Sequence, residues 1–360
     1  MTKINFPKLS KEKLNERLQH PEGIARIIID TDAANEIDDQ FALAWAILSP
    51  EKLKIEGVTA EPFSFAHHQN ELFEAERILS NKENNNKSNF AIEWVKRLHK
   101  KGINAKDLKF VNTKEGMELS YQEILNIYDK LSIPHEGKVY RGSNSYLESL
   151  ESPIKSDASE MIIDLAKSGN KPLYILGIGC PTNIASALLL APEIVNDIVV
   201  VWTSAYPSIS PHCNAASLNL VQDPISSRLI FDSGVPHVYL PGYHVGAQLT
   251  ISEPEMKNFV KGKGDIGDYL YFLYTENNPL HKKFAIEDTH RRTWVVWDLI
   301  NIAWLLNPDW VPSFLTTSPF LDDNLYWKKN DQRHLMREAY NVKRDEIFID
   351  LYNKLDKIKI

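Results

Sequence analysis

A dense group of acidic residues follows the first apolar segment of the chain. Ile27–Ile29 lead directly into Asp30–Asp39, which reads Asp-Thr-Asp-Ala-Ala-Asn-Glu-Ile-Asp-Asp. Carboxylates packed this closely repel one another and lose hydration, so they need a cation or hydrogen-bond donors nearby. An all-oxygen ligand set favours Ca²⁺ or Mg²⁺ over zinc. One acidic N-cap beside solvated neighbours is the alternative, but the number of carboxylates favours a divalent-metal site.

Short apolar segments alternate with longer helical patterns, which predicts an α/β fold with an open, mostly parallel sheet and helices on both faces. Ligands of such sheets bind at the carboxyl ends of the strands, where Asp30–Asp39 follows the first strand. The predicted strands are Arg26–Ile29, Leu53–Ala60, Leu173–Leu176, Asp197–Trp202 and His237–Leu240. The predicted helices are Asp39–Leu48, Ala66–Ser80, Ala158–Ser168, Asn183–Leu190 and Pro224–Asp232.

One region interrupts this alternation. Residues 81–88 are polar and of low complexity, which is typical of an exposed loop. Ala91–Lys101 and Ser120–Leu131 are predicted helices, the second with Ser120 and Glu123 spaced as a capping box. We therefore expect a single domain over residues 1–360 with a surface insertion at about 81–118. That insertion is either a solvated excursion or a lid over the site.

Composition narrows the function classes. The 360 residues carry a formal charge of −7, which argues against a nucleic-acid partner. The two cysteines are too few for a disulfide framework and indicate a reducing compartment. Met1–His20 lacks an apolar signal-peptide core, and no apolar run is long enough to span a bilayer. A soluble, cytoplasmic protein without membrane partners is the expectation.

Several motifs occur in the order found in one enzyme family. Asp30-Thr31-Asp32 followed by Asp38-Asp39 resembles the N-terminal signature of the inosine–uridine-preferring nucleoside hydrolases. Gly177–Ala185 resembles the family's Gly-Pro-Leu-Thr-Asn segment, and Trp297-Asp298-Leu299 stands where the family has a late metal-binding aspartate. Further similarity lies in Val139–Leu147 and Ser217–Pro236. The chain is identified as a divergent member with a nucleoside hydrolase-like fold.

The resemblance implies a Ca²⁺-dependent hydrolase of the N-glycosidic bond of a ribonucleoside or a related N-ribosyl compound. Its Ca²⁺ would be held by Asp32, Asp39, Asp298 and the backbone carbonyl of Thr182, together with water and two ribose hydroxyls. Asp32 would also be the general base that activates the water. Asp38 and Asn219 would hydrogen-bond the ribose, although Asn219 could equally be a turn or cap residue. A homodimer or homotetramer is also implied.

The chain departs from the family pattern around the sugar. Ala33–Ile37 is two residues longer than its family counterpart and brings in Asn35 and Glu36, of which Asn35 is the favoured site residue. Glu61 stands near the position of a ribose-binding asparagine, and either replaces it or forms a surface salt bridge. Ser217 occupies the place of a glutamate, and Asn214 is a candidate replacement for another asparagine.

The leaving-group side also departs from the pattern. Trp297 takes the place of a histidine that is thought to help the base depart; it could stack on a purine-like ring or belong to the core. His244 is a candidate leaving-group acid, and His67 and His68 could face the pocket, although each could also be a surface or core histidine.

Two other functions are compatible with these residues. A non-catalytic sugar- or metabolite-binding protein would retain the metal cage without turnover. A Mg²⁺-dependent phosphatase of the haloacid-dehalogenase type would use Asp30 as nucleophile, but that interpretation leaves Asp38-Asp39 and the Thr182 segment unexplained.

Overall fold

The computed structural model of this 360-residue chain describes residues 5–81, 90–169, 171–286 and 293–358. The strands are β1 Ala25–Thr31, β2 Leu53–Ala60, β3 Val139–Arg141, β4 Leu173–Gly177, β5 Ile198–Ser204, β6 His237–Pro241, β7 Thr250–Ser252, β8 Thr293–Val295, β9 Ser313–Thr317, β10 Phe320–Leu321, β11 Trp327–Lys328 and β12 Leu335–Ala339.

The first seven α-helices are α1 Lys11–Arg17, α2 Asp38–Ile47, α3 Gln69–Ser80, α4 Phe90–Lys100, α5 Thr113–Lys130, α6 Asp157–Lys167 and α7 Thr182–Leu190. The remaining α-helices are α8 Leu218–Val221, α9 Pro224–Asp232, α10 Glu253–Glu255, α11 Gly264–Thr275, α12 Pro279–Lys283, α13 Leu299–Leu306 and α14 Arg344–Leu355. A 3₁₀ turn, Ala66–His68, directly precedes α3.

The central sheet has eight strands in the order β3-β2-β1-β4-β5-β6-β12-β9. All neighbours pair in parallel except β9, which runs antiparallel to β12 at one edge. The order reverses between β1 and β4: later strands are added outward from β1 on one side and from β4 on the other. This arrangement confirms the predicted open, mostly parallel sheet.

Alternation along β1 separates the two faces of the sheet. Ile27 and Ile29 lie in the larger apolar cluster, which includes side chains of α2, α5, α11, α13 and α14, whereas Ile28 lies in the cluster formed with α6, α7 and α9. Since both faces are covered, the central strands β1, β4, β5 and β6 are buried along nearly their whole length. None of the helices within the described ranges is both long and apolar enough to cross a membrane.

The predicted start of one helix is wrong. The segment predicted as Ser120–Leu131 is the second half of α5, and Asn112 caps this helix by accepting a hydrogen bond from the backbone N–H of Glu115. The Ser120 hydroxyl donates instead to the Gly116 carbonyl at 3.0 Å. A serine three residues before a glutamate forms a capping box only where no helical residues precede it.

The inserted region is partly described, since residues 82–89 lie outside the described ranges. Its helix α4 packs on α3 through an apolar cluster that contains Leu72, Trp94 and Leu98. Glu76 joins the two helices, because its carboxylate contacts His99 Nε2 at 2.9 Å and accepts the Ala105 N–H at 3.0 Å. The single-domain organisation stays a prediction.

Candidate active site

A cavity of about 630 Å³ opens at the carboxyl ends of the central strands, beside the point where the strand order reverses. Open α/β sheets bind ligands at this position because the loops after the two central strands diverge there. Its walls come from the segments that follow β1, β2, β4, β5 and β6, together with α12, the start of α4 and the start of α13.

Three carboxylates meet on one wall of the cavity. Asp38 and Asp39 open α2, Asp298 directly precedes α13, and one oxygen from each lies within 4.8 Å of the other two. All three side chains are buried. The unpaired N–H groups at these two helix starts favour negative charge, and the Thr31 hydroxyl donates a hydrogen bond to Asp39 Oδ1. The strand-to-helix geometry therefore concentrates acidic oxygens at one point.

The carboxylates strongly perturb one another. Burial raises the pKa of Asp298 well above its usual range, and the neighbouring Asp38 and Asp39 raise it further. Burial and the neighbouring negative charges also raise the pKa values of Asp38 and Asp39. A divalent cation would relieve this repulsion, and an all-oxygen, anionic donor set suits Ca²⁺ or Mg²⁺. These residues therefore fit a metal ion of that class.

Asp32 lies in the same cavity and is held by two amides. Its Oδ2 accepts Asn35 Nδ2 at 2.9 Å and Gln222 Nε2 at 3.5 Å. Burial raises the pKa of Asp32 to about 6, and the two amide hydrogen bonds act against that rise. Gly179 packs against this carboxyl so closely that a Cβ there would lie 2.9 Å from Asp32 Cγ.

The longer loop after β1 brings two further polar groups to the cavity. Asn35 lines it, and its buried Oδ1 has no hydrogen-bond partner within the described residues. Glu36 also lines it, and burial together with the charges of Asp39 and Asp32 raises its pKa to about 8. A cation lies nearby, since Lys283 interacts with the charges of Asp32 and Glu36, while burial lowers its pKa to about 7.

Polar residues after β5 form a second part of the wall. Asn219 Nδ2 donates to the carbonyls of Ile178 and Thr203, at 3.0 and 3.2 Å, and so connects the ends of β4 and β5. The Ser217 hydroxyl lies 2.9 Å from Ser204 Oγ and accepts the Ala205 N–H at 2.8 Å. Both residues line the cavity, Asn219 as a predicted ribose contact and Ser217 at the place of the family's glutamate.

Aromatic and imidazole side chains form another side of the cavity. We call this group the ring wall; it consists of Phe65, His67, His68, Phe90 and Phe284. His67 and His68 lie with ring centroids 4.0 Å apart, and His68 is 5.5 Å from Phe90 of α4. Phe284 is 5.4 Å from Phe90 and 5.7 Å from Phe65. Trp297 lines another stretch of the wall with Tyr243, at a centroid distance of 5.5 Å. The inserted segment therefore contributes a residue to the cavity through Phe90.

The structure brings together seven of the predicted site residues on the cavity wall, namely Asp32, Asn35, Asp38, Asp39, Asn219, Trp297 and Asp298. Thr182 requires a correction because it lies off this wall. It is the first residue of α7, so its carbonyl faces along the helix, and its hydroxyl donates to Asp223 at 2.7 Å. The residue of this segment that reaches the cavity is Ile178.

Three predicted substrate contacts also lie off the cavity wall. Glu61 is fully buried behind it, where a Cβ on Gly179 would come 2.0 Å from Glu61 Oε2. Asn214 is buried and holds loop backbone, because it accepts the Tyr206 N–H and donates to the Leu325 carbonyl. His244 is exposed, with a backbone φ of 71°, and its ring lies against Tyr206.

Sequence reasoning missed several residues that the fold brings to this site. Phe90, Tyr243 and Phe284 come from distant segments, and their aromatic character alone does not separate cavity from core. Gln222 directly precedes Asp223, the N-cap of α9, and that position could have drawn attention to its neighbourhood. His290, which the sequence flanks with Asp288, Arg291 and Arg292 and which was a further candidate to lie near the site, falls outside the described residues.

A fold of this topology with buried carboxylates at its switch point defines an α/β protein built to bind a metal ion and a small ligand. The sequence profile of the inosine-uridine preferring nucleoside hydrolases matches residues 27–350. The chain therefore belongs to that family.

Known relatives agree with this assignment. The non-specific ribonucleoside hydrolase RihC of Salmonella paratyphi B is 27% identical over 168 residues, or 46% of this chain and 51% of the relative. The pyrimidine-specific ribonucleoside hydrolase RihA of Salmonella typhi is 26% identical over 161 residues, or 44% and 50%. The chain thus spans about half the length of these relatives in the matched regions.

Solved structures show the same fold. A purine-preferring ribonucleoside hydrolase from Gardnerella vaginalis superposes with a TM-score of 0.61 and 19% identity, over 92% of this chain and 98% of its own. A plant nucleoside hydrolase superposes with a TM-score of 0.59 and 16% identity, over 92% of this chain and 99% of its own.

Gly179 leaves no room for a side chain beside the acidic site. We expect Gly179→Ala to lower the melting temperature and weaken Ca²⁺ binding, because its Cβ would overlap Glu61 Oε2 and displace Asp32. Gly242→Ala is the matched control: Gly242 also lines the cavity, but its nearest neighbour would be 3.7 Å away. Thermal denaturation and calcium titration of both variants check this, and equal behaviour of the two would contradict it.

The raised pKa values make the metal-free protein sensitive to pH. The folded state holds protons on Asp32 and Glu36, with pKa values of about 6 and about 8, that the unfolded chain releases near its ordinary carboxyl pKa. These two carboxyls therefore bind more protons in the folded protein than in the unfolded chain, and their contribution to the free energy of unfolding falls as pH rises from about 5 to 8. Basic groups whose pKa values are lowered by burial contribute in the opposite direction, namely Lys283, His67, His237 and His334. The carboxyl contribution should therefore appear in chelator as a fall in the melting temperature of the wild type relative to a variant that lacks one of these carboxyls, and an added divalent cation should reduce that fall.

Glu36→Gln provides the control for this pH dependence. It removes the group whose pKa is about 8, so the decline between about pH 6 and 8 should become shallower. Identical pH profiles of the wild type and Glu36→Gln in chelator, or melting temperatures that Ca²⁺ does not affect, would contradict the expectation.

Proposed function

We propose that this protein hydrolyses the N-glycosidic bond of a ribonucleoside or a related N-ribosyl compound with the help of Ca²⁺. The observation that carries the proposal is the meeting of Asp38, Asp39 and Asp298 within 4.8 Å in a cavity that also contains Asp32. Such a set of buried acids is unstable alone and suited to a hard cation. Family membership and the ribonucleoside hydrolase relatives support the reaction class.

Asp39 and Asp298 would hold the ion together with Asp32, which shares their cavity, and Asp38, the third carboxylate of the cluster, would bind a ribose hydroxyl. Ile178, the residue directly after β4, lines the cavity and would offer its backbone carbonyl in place of that of Thr182. When bound, a divalent cation would coordinate two neighbouring ribose hydroxyls and a water molecule and would lower the pKa of that water.

Asp32 acts as general base in this proposal. Asn35 and Gln222 both donate to Oδ2, which leaves Oδ1 as the oxygen that takes a proton from the attacking water. The water oxygen bonds to the anomeric carbon as the bond to the base nitrogen breaks, and the electron pair leaves with the base. The buried carboxylates favour the positive charge that develops on the sugar.

The ring wall suits the departing base. Phe65, Phe90 and Phe284 offer apolar faces and edges to a flat heterocycle. His67 and His68 line this wall, whereas the indole of Trp297 cannot supply a proton at neutral pH. Burial lowers the pKa of His67 to about 4, so we assign it an N–H donor role as a neutral imidazole that hydrogen-bonds the leaving nitrogen.

A specific observation also favours a second candidate, a metabolite-binding protein that retains the cage without turnover. The Ser217 hydroxyl accepts the Ala205 N–H and pairs with the Ser204 hydroxyl, and the Asn219 amide donates to two backbone carbonyls, so both residues offer fewer free groups to a ribose. The phosphatase alternative finds no comparable support. Asp30, its nucleophile, is fully buried and bonded to Thr59 and Asn183.

The identity of the base is not specified by these residues. A cytoplasmic location belongs to the proposal on the ground of composition, and a homodimeric or homotetrameric assembly belongs to it as an implication of the family resemblance.

Removal of the general base tests the hydrolase proposal. We expect Asp32→Asn to lower kcat for ribose release from a purine and pyrimidine ribonucleoside panel by about 100- to 10,000-fold. Asp164→Asn, the same change at an exposed position of α6, should behave as the wild type. Ribose release is measured with Ca²⁺ present. A wild type that binds nucleosides but releases no ribose would contradict the proposal and support the binding-protein candidate.

Replacement of both wall histidines tests their role toward the leaving group. We expect His67→Phe with His68→Phe, which keep a ring but remove every N–H donor, to lower kcat/KM for a purine ribonucleoside by about 100-fold. For 4-nitrophenyl riboside the loss should stay below about threefold, because that phenolate leaves without a proton. His212→Phe, at an exposed histidine off the cavity wall, is the control. Equal losses for both substrates would contradict a role in leaving-group departure.

A further inference from the structure

Gln222 connects the acidic site to the ring wall. Its side chain is 5% exposed and lies between Asp32 and Ser64, the residue directly before Phe65. It follows α8 and precedes the N-cap of α9, so both neighbouring helices fix its backbone.

The hydrogen bonds of Gln222 define which way its amide points. Oε1 accepts the backbone N–H of Ser64 at 2.8 Å and the Tyr146 hydroxyl at 2.7 Å. Because a backbone N–H can only donate, the atom that faces Ser64 must be the carbonyl oxygen. Nε2 therefore faces Asp32 Oδ2, at 3.5 Å. The opposite amide orientation would place an N–H group against the Ser64 N–H.

Two amides thus hold Asp32 by the same oxygen. Asn35 approaches Oδ2 from the loop after β1 at 2.9 Å, and Gln222 approaches it from the far end of the site. A carboxylate fixed at one oxygen keeps the orientation of the other, which is what a base that takes a proton from a positioned water requires.

The same residue also fixes the start of the ring wall. Ser64 is anchored a second time, because its hydroxyl donates to the Val111 carbonyl at 2.8 Å and accepts the Ala66 N–H at 3.1 Å. The segment from Ser64 to His68 contributes Phe65, His67 and His68 to the cavity. A shift of Gln222 would therefore disturb the base and the wall together.

We propose that Gln222 is a positioning residue that holds Asp32 in its reactive orientation and locks it to the segment Ser64–His68. The proposal rests on the proposed function, since it assigns Asp32 the role of base. Gln222 acts through Asp32 and Ser64 and takes no part in bond making.

Two substitutions test separately the contact of Gln222 with Asp32 and its contact with Ser64. Gln222→Glu keeps an oxygen for Ser64 and Tyr146 but cannot donate to Asp32, so kcat should fall by about 10- to 100-fold while KM changes by less than about threefold. Gln222→Leu loses both connections, so KM should rise in addition to the loss in kcat. Gln248→Glu, at an exposed glutamine, is the control. Melting temperatures are measured for all variants.

The split between kcat and KM decides the outcome. A Gln222→Glu variant with the kcat of the wild type would overturn the proposal, as would losses that simply follow a lower melting temperature. If the wild type releases no ribose from any substrate, the proposed function fails, and calcium titration then decides the positioning role. About tenfold weaker Ca²⁺ binding by Gln222→Leu than by Gln248→Glu would support it, and equal binding would contradict it.

Discussion

The structure depends on keeping several carboxylates buried together. Asp38, Asp39 and Asp298 lie within 4.8 Å of one another, and Asp32 shares their cavity. Burial and mutual repulsion both disfavour their charged forms. Two helix starts, the Thr31 hydroxyl and two side-chain amides offset part of this cost. A divalent cation would offset the rest of this cost. The stability of the folded chain and the function of the site would then depend on the same buried carboxylates.

The sheet topology makes this arrangement possible. β1 and β4 are adjacent, but the segments that follow them turn to opposite faces, which leaves a crevice at their carboxyl ends. One side of the crevice is acidic and the other is lined with rings, so a polar sugar and a flat base each find a matching surface. Gln222 spans the two sides and couples their geometry.

Local patterns were sufficient to predict five of the eight strands of the sheet, namely β1, β2, β4, β5 and β6, and most of the cavity's acidic wall. Asp30–Asp39 follows an apolar strand, and an acidic turn directly after a buried strand is a pattern that by itself indicates a metal site. The carbonyl assigned to Thr182 was misplaced because a short motif does not show which of its residues begins the helix. Asn214 and His244 shared the types expected of site residues, but loop geometry decides where such side chains point.

Of the side chains in the ring wall, only His67 and His68 were predicted to face the pocket. Phe65 follows β2, Phe90 begins α4 and Phe284 directly follows α12, so these rings meet only in the folded chain. The same holds for Gln222, whose role depends on hydrogen bonds to residues far away in sequence. The strands β9–β12 and the helix α14 were not among the predicted elements.

A crystal structure grown with Ca²⁺ and ribose tests the central claim most directly. The account predicts one ion in the cavity, in contact with Asp32, Asp39 and Asp298 and with two hydroxyls of the sugar. A cavity that holds the sugar without an ion, or an ion bound away from these carboxylates, would contradict it.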